Sequence, residues 1–209
     1  MEHVDILTPP TFEKSGVIKP KDQAIADGDW IGTFNLWIIQ SEPEPAIVYQ
    51  QRSPNSTWAP NKLDVTAGGH YQAGETIFDG LREVKEELGK TYDKDQLIYL
   101  GRKLHVSPDI HGLTRHNVVD ILFVTDNSSL ESYNLEKEEV FAIVSCPIKK
   151  LIQAHTKKRS FEALALKHDG KKINITISDD SFPYNWDNYH FKIALLAERY
   201  LKGEKNLLY

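Results

Sequence analysis

The chain has 209 residues, a length that suits one large domain or at most two small ones. Hydrophobic residues make up 40% and charged residues 26%, which is ordinary for a globular protein and excludes a disordered chain, a collagen-like repeat and a coiled coil. The formal net charge is -5, from 25 basic and 30 acidic residues, so the chain has no global basic field and we expect no nucleic-acid partner.

The cellular compartment is predicted from cysteine usage and from the N-terminus. The single cysteine, Cys146, cannot form an internal disulfide, and the opening residues MEHVD lack the basic start and apolar stretch of a signal peptide. No uninterrupted apolar run approaches the roughly 18 residues that span a bilayer. We therefore expect an intracellular, cytoplasmic protein with no membrane partner.

The N-terminal part is predicted to contain a strand, a connection and a hairpin. Residues 4–7 (VDIL) form a short, largely apolar segment that predicts a strand, whereas the polar stretch from 9 to 28 predicts a long surface connection. Residues 33–40 and 46–52 are rich in β-branched and aromatic side chains, and the segment SEPEP between them predicts a turn. These two strands are expected to pair.

A strand, a glycine loop and a helix are predicted next. Residues 63–67 predict a short strand that runs into Gly68 and Gly69. A helix is predicted over residues 76–88, because apolar residues recur there at helical spacing and Gly89 follows.

Three further strands are predicted downstream, at residues 97–105, 117–125 and 140–145. The segment between the first two is expected to be a loop that carries Arg115 and His116.

The C-terminal part is predicted to add a hairpin and a helix. Residues 161–166 and 172–178 flank the turn sequence HDG, although the first segment is equally compatible with a helix. Pro147 opens a short helix, and Gly203 ends a terminal helix of about four turns. This mixture of strands with two or three helices favours an α/β or α+β domain.

The helix predicted over residues 76–88 has one apolar face and one carboxylate face. The carboxylates that fall together on the helical wheel are Asp79, Glu83, Glu86 and Glu87. Like charges at this spacing repel one another, so the cluster calls for a counter-charge, and hard oxygen ligands suit Mg²⁺ or Mn²⁺. The alternative is an acidic helix face that is simply solvated.

Around this helix the sequence resembles the Nudix box, G-x5-E-x7-R-E-U-x-E-E-x-G-U, in which U is a bulky apolar residue. Residues 69–75 match its first part, and residues 82–89 match every position from the Arg to the second Gly. The sequence departs from the box in two places. Six residues rather than seven separate Glu75 from Arg82, and Lys90 occupies the last apolar position.

The resemblance extends to the isopentenyl-diphosphate-isomerase-like branch of the Nudix superfamily. It is carried by QRSPN at residues 51–55, TWAP at 57–60 and LDVTAGGH at 63–70, and it covers about residues 1–155. It implies the Nudix α/β/α sandwich with a mixed sheet. We expect a single domain over residues 1–209, on which residues 156–209 pack as a C-terminal extension with a hairpin and a helix.

Roles for individual residues also follow from the resemblance. It implies that Glu83, Glu86 and Glu87 bind the metal with help from the backbone carbonyl of Gly69, and that Arg82 orients a glutamate.

A further metal ligand or the catalytic base is implied just before a late strand. Glu138 and Glu139 stand there, and Glu139 is preferred.

Isomerase and hydrolase are distinguished by two positions. Isomerases of this branch need a cysteine acid/base where Gly68 stands, and Asn35 appears in place of a strand histidine, so isomerisation is not expected. His70 remains at an isomerase metal-ligand position. Arg52, His70 and Arg115 are the residues expected to bind the substrate.

The function predicted from the sequence is metal-dependent hydrolysis of a diphosphate linkage, in a nucleoside diphosphate derivative or a related small molecule. The catalytic residues would be Arg82, Glu83, Glu86 and Glu139, with Mg²⁺ or Mn²⁺ as cofactor. The alternative is a Nudix-fold module that binds a metabolite without turnover. Both a monomer and a homo-oligomer are compatible with the sequence.

Overall fold

The computed structural model describes residues 2–56, 58–108, 112–183 and 187–209. Thr57 of the TWAP segment and residues 109–111 of the expected loop lie outside the described residues. In chain order the elements are β1 (His3–Thr8), β2 (Glu13–Pro20), α1 (Lys21–Asp27), β3 (Trp30–Gln40), β4 (Ala46–Arg52), β5 (Leu63–Asp64), β6 (Ala67–His70), α2 (Arg82–Leu88), β7 (Ile98–Pro108), β8 (Thr114–Thr125), β9 (Val140–Pro147), α3 (Ile148–Lys157), β10 (Phe161–Lys167), β11 (Lys172–Ile177) and α4 (Tyr189–Leu201).

The described strands form one mixed sheet of eleven strands. Its order is β11-β10-β9-β4-β3-β1-β2, while β5 pairs with β4, β6 pairs with β3, and β7 joins β3 through β8. β3 and β8 run parallel, from Trp30 opposite His116 to Ile39 opposite Thr125. The predicted hairpin of β3 and β4 is confirmed. Because β3 contacts β1, β4, β6 and β8, it is the strand around which the functional region is arranged.

Alternate side chains of β3 enter two apolar layers, one on each face of the sheet. Phe34 and Leu36 are fully buried in the layer that contains Val84 of α2. Trp37 and Ile39 are fully buried in the layer that contains α3 and α4. Helices therefore cover both faces of the sheet, which confirms the α/β/α sandwich.

The surface connection predicted for residues 9–28 is wrong, because this segment forms β2 and α1. β2 is an edge strand whose first six residues are exposed, so it shows no alternation of apolar and polar side chains. α1 has only seven residues, of which Ala24 is buried, and Gly28 ends it at a positive φ of 74°.

The helix predicted over residues 76–88 begins later than expected. α2 starts at Arg82, and a 3₁₀ turn precedes it at Asp79–Leu81. The backbone N–H and the hydroxyl of Thr76 both donate to the Asp79 carboxylate, at 2.8 and 2.6 Å, which stabilises the turn in place of a helical start. The tighter 3₁₀ geometry takes up the missing residue of the box before the regular helix begins.

Two other boundaries differ from the prediction. The strand expected at residues 63–67 is divided into β5 and β6, and β6 includes both glycines. Arg115 and His116 lie in β8 rather than in a loop.

The C-terminal hairpin and terminal helix are confirmed. β10 and β11 pair in antiparallel register, and β10 also pairs with β9 of the central sheet. Ile193 and Ala197 of α4 are fully buried in the same apolar layer as Trp37. The single domain over residues 1–209 stays a prediction.

In the part of the chain that the structure describes, no helix has both the length and the apolar character needed to cross a membrane.

Candidate active site

A polar cavity of about 740 Å³ lies where one end of β3, β7 and β8 meets β6 and α2. The structure brings together on its wall every residue that the sequence assigned to metal or substrate binding. These residues are Arg52, Gly69, His70, Arg82, Glu83, Glu86, Glu87, Arg115, Glu138 and Glu139.

The three glutamates of α2 differ in their exposure. Glu86 is exposed, Glu83 is half-buried, and Glu87 is buried with 6% of its surface accessible. Burial raises the pKa of Glu87 well above its usual range, and the carboxylates of Glu139 and Glu83 raise it further. Burial also raises the pKa of Glu83, against the opposing effect of Arg82. The cavity therefore concentrates negative charge that the protein compensates only in part.

Hydrogen bonds at the C-terminal end of α2 position Glu139 near this cluster. The Glu136 N–H donates to the Glu87 carbonyl at 2.9 Å, so the segment that leads to β9 is fixed on α2. The Ser53 N–H donates to the Glu139 carbonyl at 2.9 Å. The backbone of Glu139 is thereby held between α2 and the end of β4, and its role stays a prediction.

Arg82 connects the carboxylates at the start of α2. Its Nε donates to Glu75 Oε1 at 2.9 Å, and its Nη1 donates to Glu83 Oε1 at 2.6 Å and to Glu86 Oε2 at 3.3 Å. Glu75 and Arg82 are therefore paired although one residue is missing between them, because the 3₁₀ turn brings Glu75 within reach of the guanidinium.

Glycine is needed at position 69 because β6 approaches α2 closely there. A Cβ atom on Gly69 would lie 2.6 Å from Glu83 Cγ. A Cβ atom on Gly68 would lie 2.9 Å from the Phe34 carbonyl oxygen. Gly69 therefore lets the backbone of β6 lie against the Glu83 side chain, and Gly68 lets it lie close to the backbone of β3.

The chemistry of this cluster fits a divalent cation. Among the described residues no group of three His, Cys, Asp or Glu side chains is already arranged as a metal-binding set, and Arg82 lies between Glu83 and Glu86. Among the described residues, Glu87 accepts a hydrogen bond from Gln50 Nε2 at 3.1 Å, and the attraction of Arg52 offsets only part of the repulsion from Glu139 and Glu83. Buried carboxylate oxygens with uncompensated charge are the ligands that Mg²⁺ and Mn²⁺ prefer.

Arg52, the last residue of β4, lines the same cavity as the glutamates. Its guanidinium donates to Ser56 Oγ at 2.7 Å and to the Trp58 carbonyl at 2.8 Å, and it lies 3.4 Å from Asp64 Oδ2. These bonds fix the side chain on the cavity wall, where a cation can pair with a phosphate group.

His70 is neutral at pH 7. Burial, together with the charges of Lys21 and Arg115, lowers its pKa to about 3. Its Nε2 atom is buried and has no hydrogen-bond partner among the described residues. A neutral imidazole on the cavity wall can accept a hydrogen bond from a ligand or bind a metal.

Arg115 faces the cavity, but His116 does not. Alternate residues of a strand point to opposite faces, and Arg115, Asn117 and Val119 of β8 line the cavity. The His116 ring instead lies 5.0 Å from the Trp30 ring on the other face. The His116 side chain therefore does not reach the cavity.

A group of cavity residues that was not predicted from the sequence joins the C-terminal extension to β7. Lys103 Nζ pairs with Asp187 Oδ2 at 2.9 Å and lies 3.7 Å from the centre of the Tyr189 ring. The alternating polar residues Lys103, His105 and Ser107 were a signal for a polar strand face, whereas Asp187 and Tyr189 come from a distant part of the chain. The extension therefore forms part of the cavity wall.

His190 is a second buried neutral histidine on this wall. Burial lowers its pKa to about 3, and its ring packs at 4.7 Å from Phe182. Because the unfolded state takes up a proton near pH 6.5 and the folded state does not, His190 stabilises the fold fully above pH 6.5. This contribution is lost as the pH falls toward 3.

We expect His190→Phe to remove this acid sensitivity. The free energy of unfolding of the wild type should lose about 1.4 kcal/mol per pH unit more than that of the variant between pH 6 and 4. Urea titrations across this range measure the difference, and His168→Gln, at an exposed histidine, is the control. Parallel pH profiles of the wild type and His190→Phe would contradict the assignment.

Cys146 is fully buried in the apolar layer beside α3 and α4, and burial raises its pKa. It does not line the cavity. Asn35 does line it, and its Nδ2 donates to the Tyr189 hydroxyl at 2.8 Å. Neither residue supplies the thiol acid/base of an isomerase.

A mixed sheet between helices, with a glutamate-rich helix at a polar cavity, defines a class of protein, and comparison of the sequence with known families identifies that class. Residues 32–167 match the model of the NUDIX domain, which is more than half of the chain. The chain belongs to the NUDIX family, and its curated relatives are Nudix hydrolases.

Three relatives illustrate the match. An uncharacterized Nudix hydrolase of Clostridium acetobutylicum is 28% identical over 87% of this chain and 91% of its own length. Nudix hydrolase 3 of Arabidopsis thaliana is 31% identical over 70% of this chain, which spans only 19% of that longer protein. The crystal structure of DR0079 from Deinococcus radiodurans superimposes with a TM-score of 0.55 at 19% identity, covering 75% of this chain and 90% of that one.

Proposed function

We propose that this Nudix hydrolase uses Mg²⁺ or Mn²⁺ to hydrolyse a diphosphate linkage in a nucleoside diphosphate derivative or a related small molecule. The observation that carries the proposal is the buried carboxylate of Glu87, which lines the same cavity as Glu83, Glu86 and Glu139. A bound divalent ion would neutralise phosphate charge and lower the pKa of an attacking water.

Side chains of the protein would bind the metal and the phosphate groups. Glu83, Glu86 and Glu87, with the Gly69 carbonyl, would hold the metal. Arg52 would pair with a phosphate oxygen, since its guanidinium is already fixed by Ser56 and Trp58.

The acceptor of the proton lost by water would be a glutamate. Glu139 or a member of the box cluster suits this step, because burial, with a smaller effect of neighbouring carboxylates, raises the pKa of Glu83 and Glu87. Arg82 would orient these carboxylates through its bonds to Glu75 and Glu83.

His70 and Arg115 would contact the substrate beyond its diphosphate. Arg115, Asn117 and His105 lie on the same polar strand face of the cavity. A cytoplasmic location and the oligomeric state stay predictions.

We also propose that the chain belongs to the isopentenyl-diphosphate-isomerase-like branch of the family while acting as a hydrolase. Gly68 has no side chain that could act as an acid, and Cys146 is fully buried in the apolar layer beside α3 and α4. Protonation of an alkene needs a poised donor in the pocket, and no thiol lines the cavity among the described residues.

We therefore expect no interconversion of isopentenyl and dimethylallyl diphosphate. The measurement is incorporation of solvent deuterium into either isomer, with Mg²⁺ present and the enzyme omitted in the control. Enzyme-dependent exchange would overturn this part of the proposal.

The decisive experiment is a phosphate-release assay with Mg²⁺ or Mn²⁺ and a coupled phosphatase. The panel should contain nucleoside triphosphates, nucleotide sugars, dinucleotide cofactors and isoprenoid diphosphates. Metal-dependent turnover of at least one compound supports the proposal. Binding of a panel compound by calorimetry without any turnover would instead favour the metabolite-binding module.

A further inference from the structure

A second cavity, of about 660 Å³, lies on the opposite face of the sheet from the candidate active site. The alternation of β8 separates the two, because Val118, Asp120 and Leu122 line the second cavity while Asn117 and Val119 line the first. The β1–β2 hairpin and the segment from residue 75 to 78 complete its walls. Its volume is typical of a site for a small organic molecule.

The lining is mainly apolar and is rich in aromatic rings. Four rings contribute to it, from Phe12, Tyr71, Phe78 and Tyr99. Phe78 and Tyr99 remain 37% and 51% exposed, although large aromatic side chains usually gain from burial. Exposed rings around a concave apolar surface favour a planar ligand that can stack on them.

A buried polar group forms one wall of this cavity. Asp120 is 4% exposed, and it accepts hydrogen bonds from the hydroxyls of Tyr71 and Tyr99 at 3.2 and 2.9 Å. Arg102 Nε also donates to Asp120 at 2.9 Å. These bonds fix the Arg102 guanidinium and the two phenol rings in the orientation that faces the cavity.

Most of the hydrogen-bonding groups that remain unused on the cavity wall are donors. The Asp5 carboxylate pairs with Lys14 and accepts a hydrogen bond from the Gly74 N–H. The Glu75 carboxylate accepts hydrogen bonds from Arg82 and from the Gln72 N–H. Asp120 is engaged by the two tyrosines and Arg102. Glu13 is the remaining carboxylate of the lining, and it lies exposed on the edge strand.

Lys14 is engaged by Asp5 and by the Glu75 carbonyl, whereas Lys94 and Arg102 retain most of their donors. Lys94 lies 4.4 Å from the centre of the Phe78 ring and has no hydrogen-bond acceptor among the described residues. Arg102 bonds Asp120 through Nε and Nη2, which leaves Nη1. A ligand that satisfies these donors must bring acceptor oxygens next to its apolar body.

We propose that this second cavity binds an aromatic anion, a planar ring that carries a carboxylate, sulfonate or phosphate group. The ring stacks against Phe78 and Tyr99, and the anionic group pairs with Lys94 and Arg102. This site lies on the other face of the sheet from the glutamate cluster, although Glu75 of its lining also pairs with Arg82. It does not depend on the proposed hydrolysis.

The probe for the test is 8-anilinonaphthalene-1-sulfonate, whose fluorescence rises when its rings enter an apolar site. The full chain, without added metal, should bind it saturably with one-to-one stoichiometry. The double variant Phe78→Ala/Lys94→Gln should weaken the affinity by about tenfold or more, since a stacking contact and an ionic contact are both lost. Tyr99→Ala should weaken it several-fold.

Matched controls keep the test specific. Leu164→Ala/Lys150→Gln removes an exposed apolar residue and an exposed cation elsewhere, and it should leave the affinity unchanged. Arg115→Gln, in the first cavity, should also leave it unchanged. Circular dichroism melts confirm that each variant is folded.

Three outcomes would overturn the proposal. They are absence of saturable binding by the wild type, unchanged affinity in Phe78→Ala/Lys94→Gln, and loss of affinity in Arg115→Gln, which would place the probe in the first cavity.

Discussion

Glu87→Gln should lower turnover by roughly a hundredfold or more at saturating metal, because a neutral amide binds a hard cation poorly. Glu86→Gln should have a comparable effect, since the exposed carboxylate of Glu86 would also be a metal ligand. Steady-state rates with Mn²⁺ varied up to saturation measure both. Near-wild-type rates of either variant at saturating Mn²⁺ would show that the glutamate cluster is not the metal site.

Glu87→Gln should also separate catalysis from stability. A carboxyl group whose pKa is raised on folding stabilises the fold only while it is protonated, and this contribution is lost as the pH rises through the folded-state pKa. At pH 7 without metal, the neutral variant should therefore melt at or above the temperature of the wild type. Added Mn²⁺ should raise the melting temperature of the wild type more than that of the variant.

Lys85→Gln is the matched control for these measurements. Lys85 lies on the same helix but is exposed, and its side chain does not line the cavity. We expect it to leave both the turnover and the Mn²⁺-dependent rise in melting temperature unchanged. A similar loss in this variant would indicate a general effect of changing α2.

The sequence predicted the glutamate face of α2 because its origin is local. Residues three and four positions apart share a helix face, so the alignment of Glu83, Glu86 and Glu87 follows from spacing alone. The apolar residues Val84 and Leu88 lie on the other face and are buried in the structure.

The elements that the sequence analysis missed owe their conformation to tertiary contacts. β2 has no buried face that would impose a period of two on its sequence, and α1 is too short for a helical period. The Lys103–Asp187 pair joins residues 84 positions apart, and no local pattern reports such a contact.

The shortened box illustrates the same distinction. The missing residue between Glu75 and Arg82 left the position of Glu75 undetermined, because spacing does not define the backbone of a loop. The contact of Gly80 with the Tyr71 ring, where a Cβ atom would lie 2.7 Å away, allows the 3₁₀ turn to pack tightly. That packing places Glu75 beside the guanidinium of Arg82.

Arg82→Lys should reduce turnover by roughly fiftyfold or more while leaving the fold intact. A lysine ammonium keeps the positive charge but cannot bond Glu75, Glu83 and Glu86 together in the planar geometry of a guanidinium. Glu75→Gln should have a smaller effect if, as we propose, Glu75 acts by holding Arg82. Rates at saturating Mn²⁺ measure each change.

The double variant Glu75→Gln/Arg82→Lys decides whether the shortened box works as a unit. If Glu75 acts through Arg82, the double variant should be no slower than Arg82→Lys alone, with a coupling free energy of about 1 kcal/mol or more. Multiplicative losses would show that the two residues act independently. In that case the Glu75–Arg82 bond at 2.9 Å would support local structure and not the orientation of the glutamates.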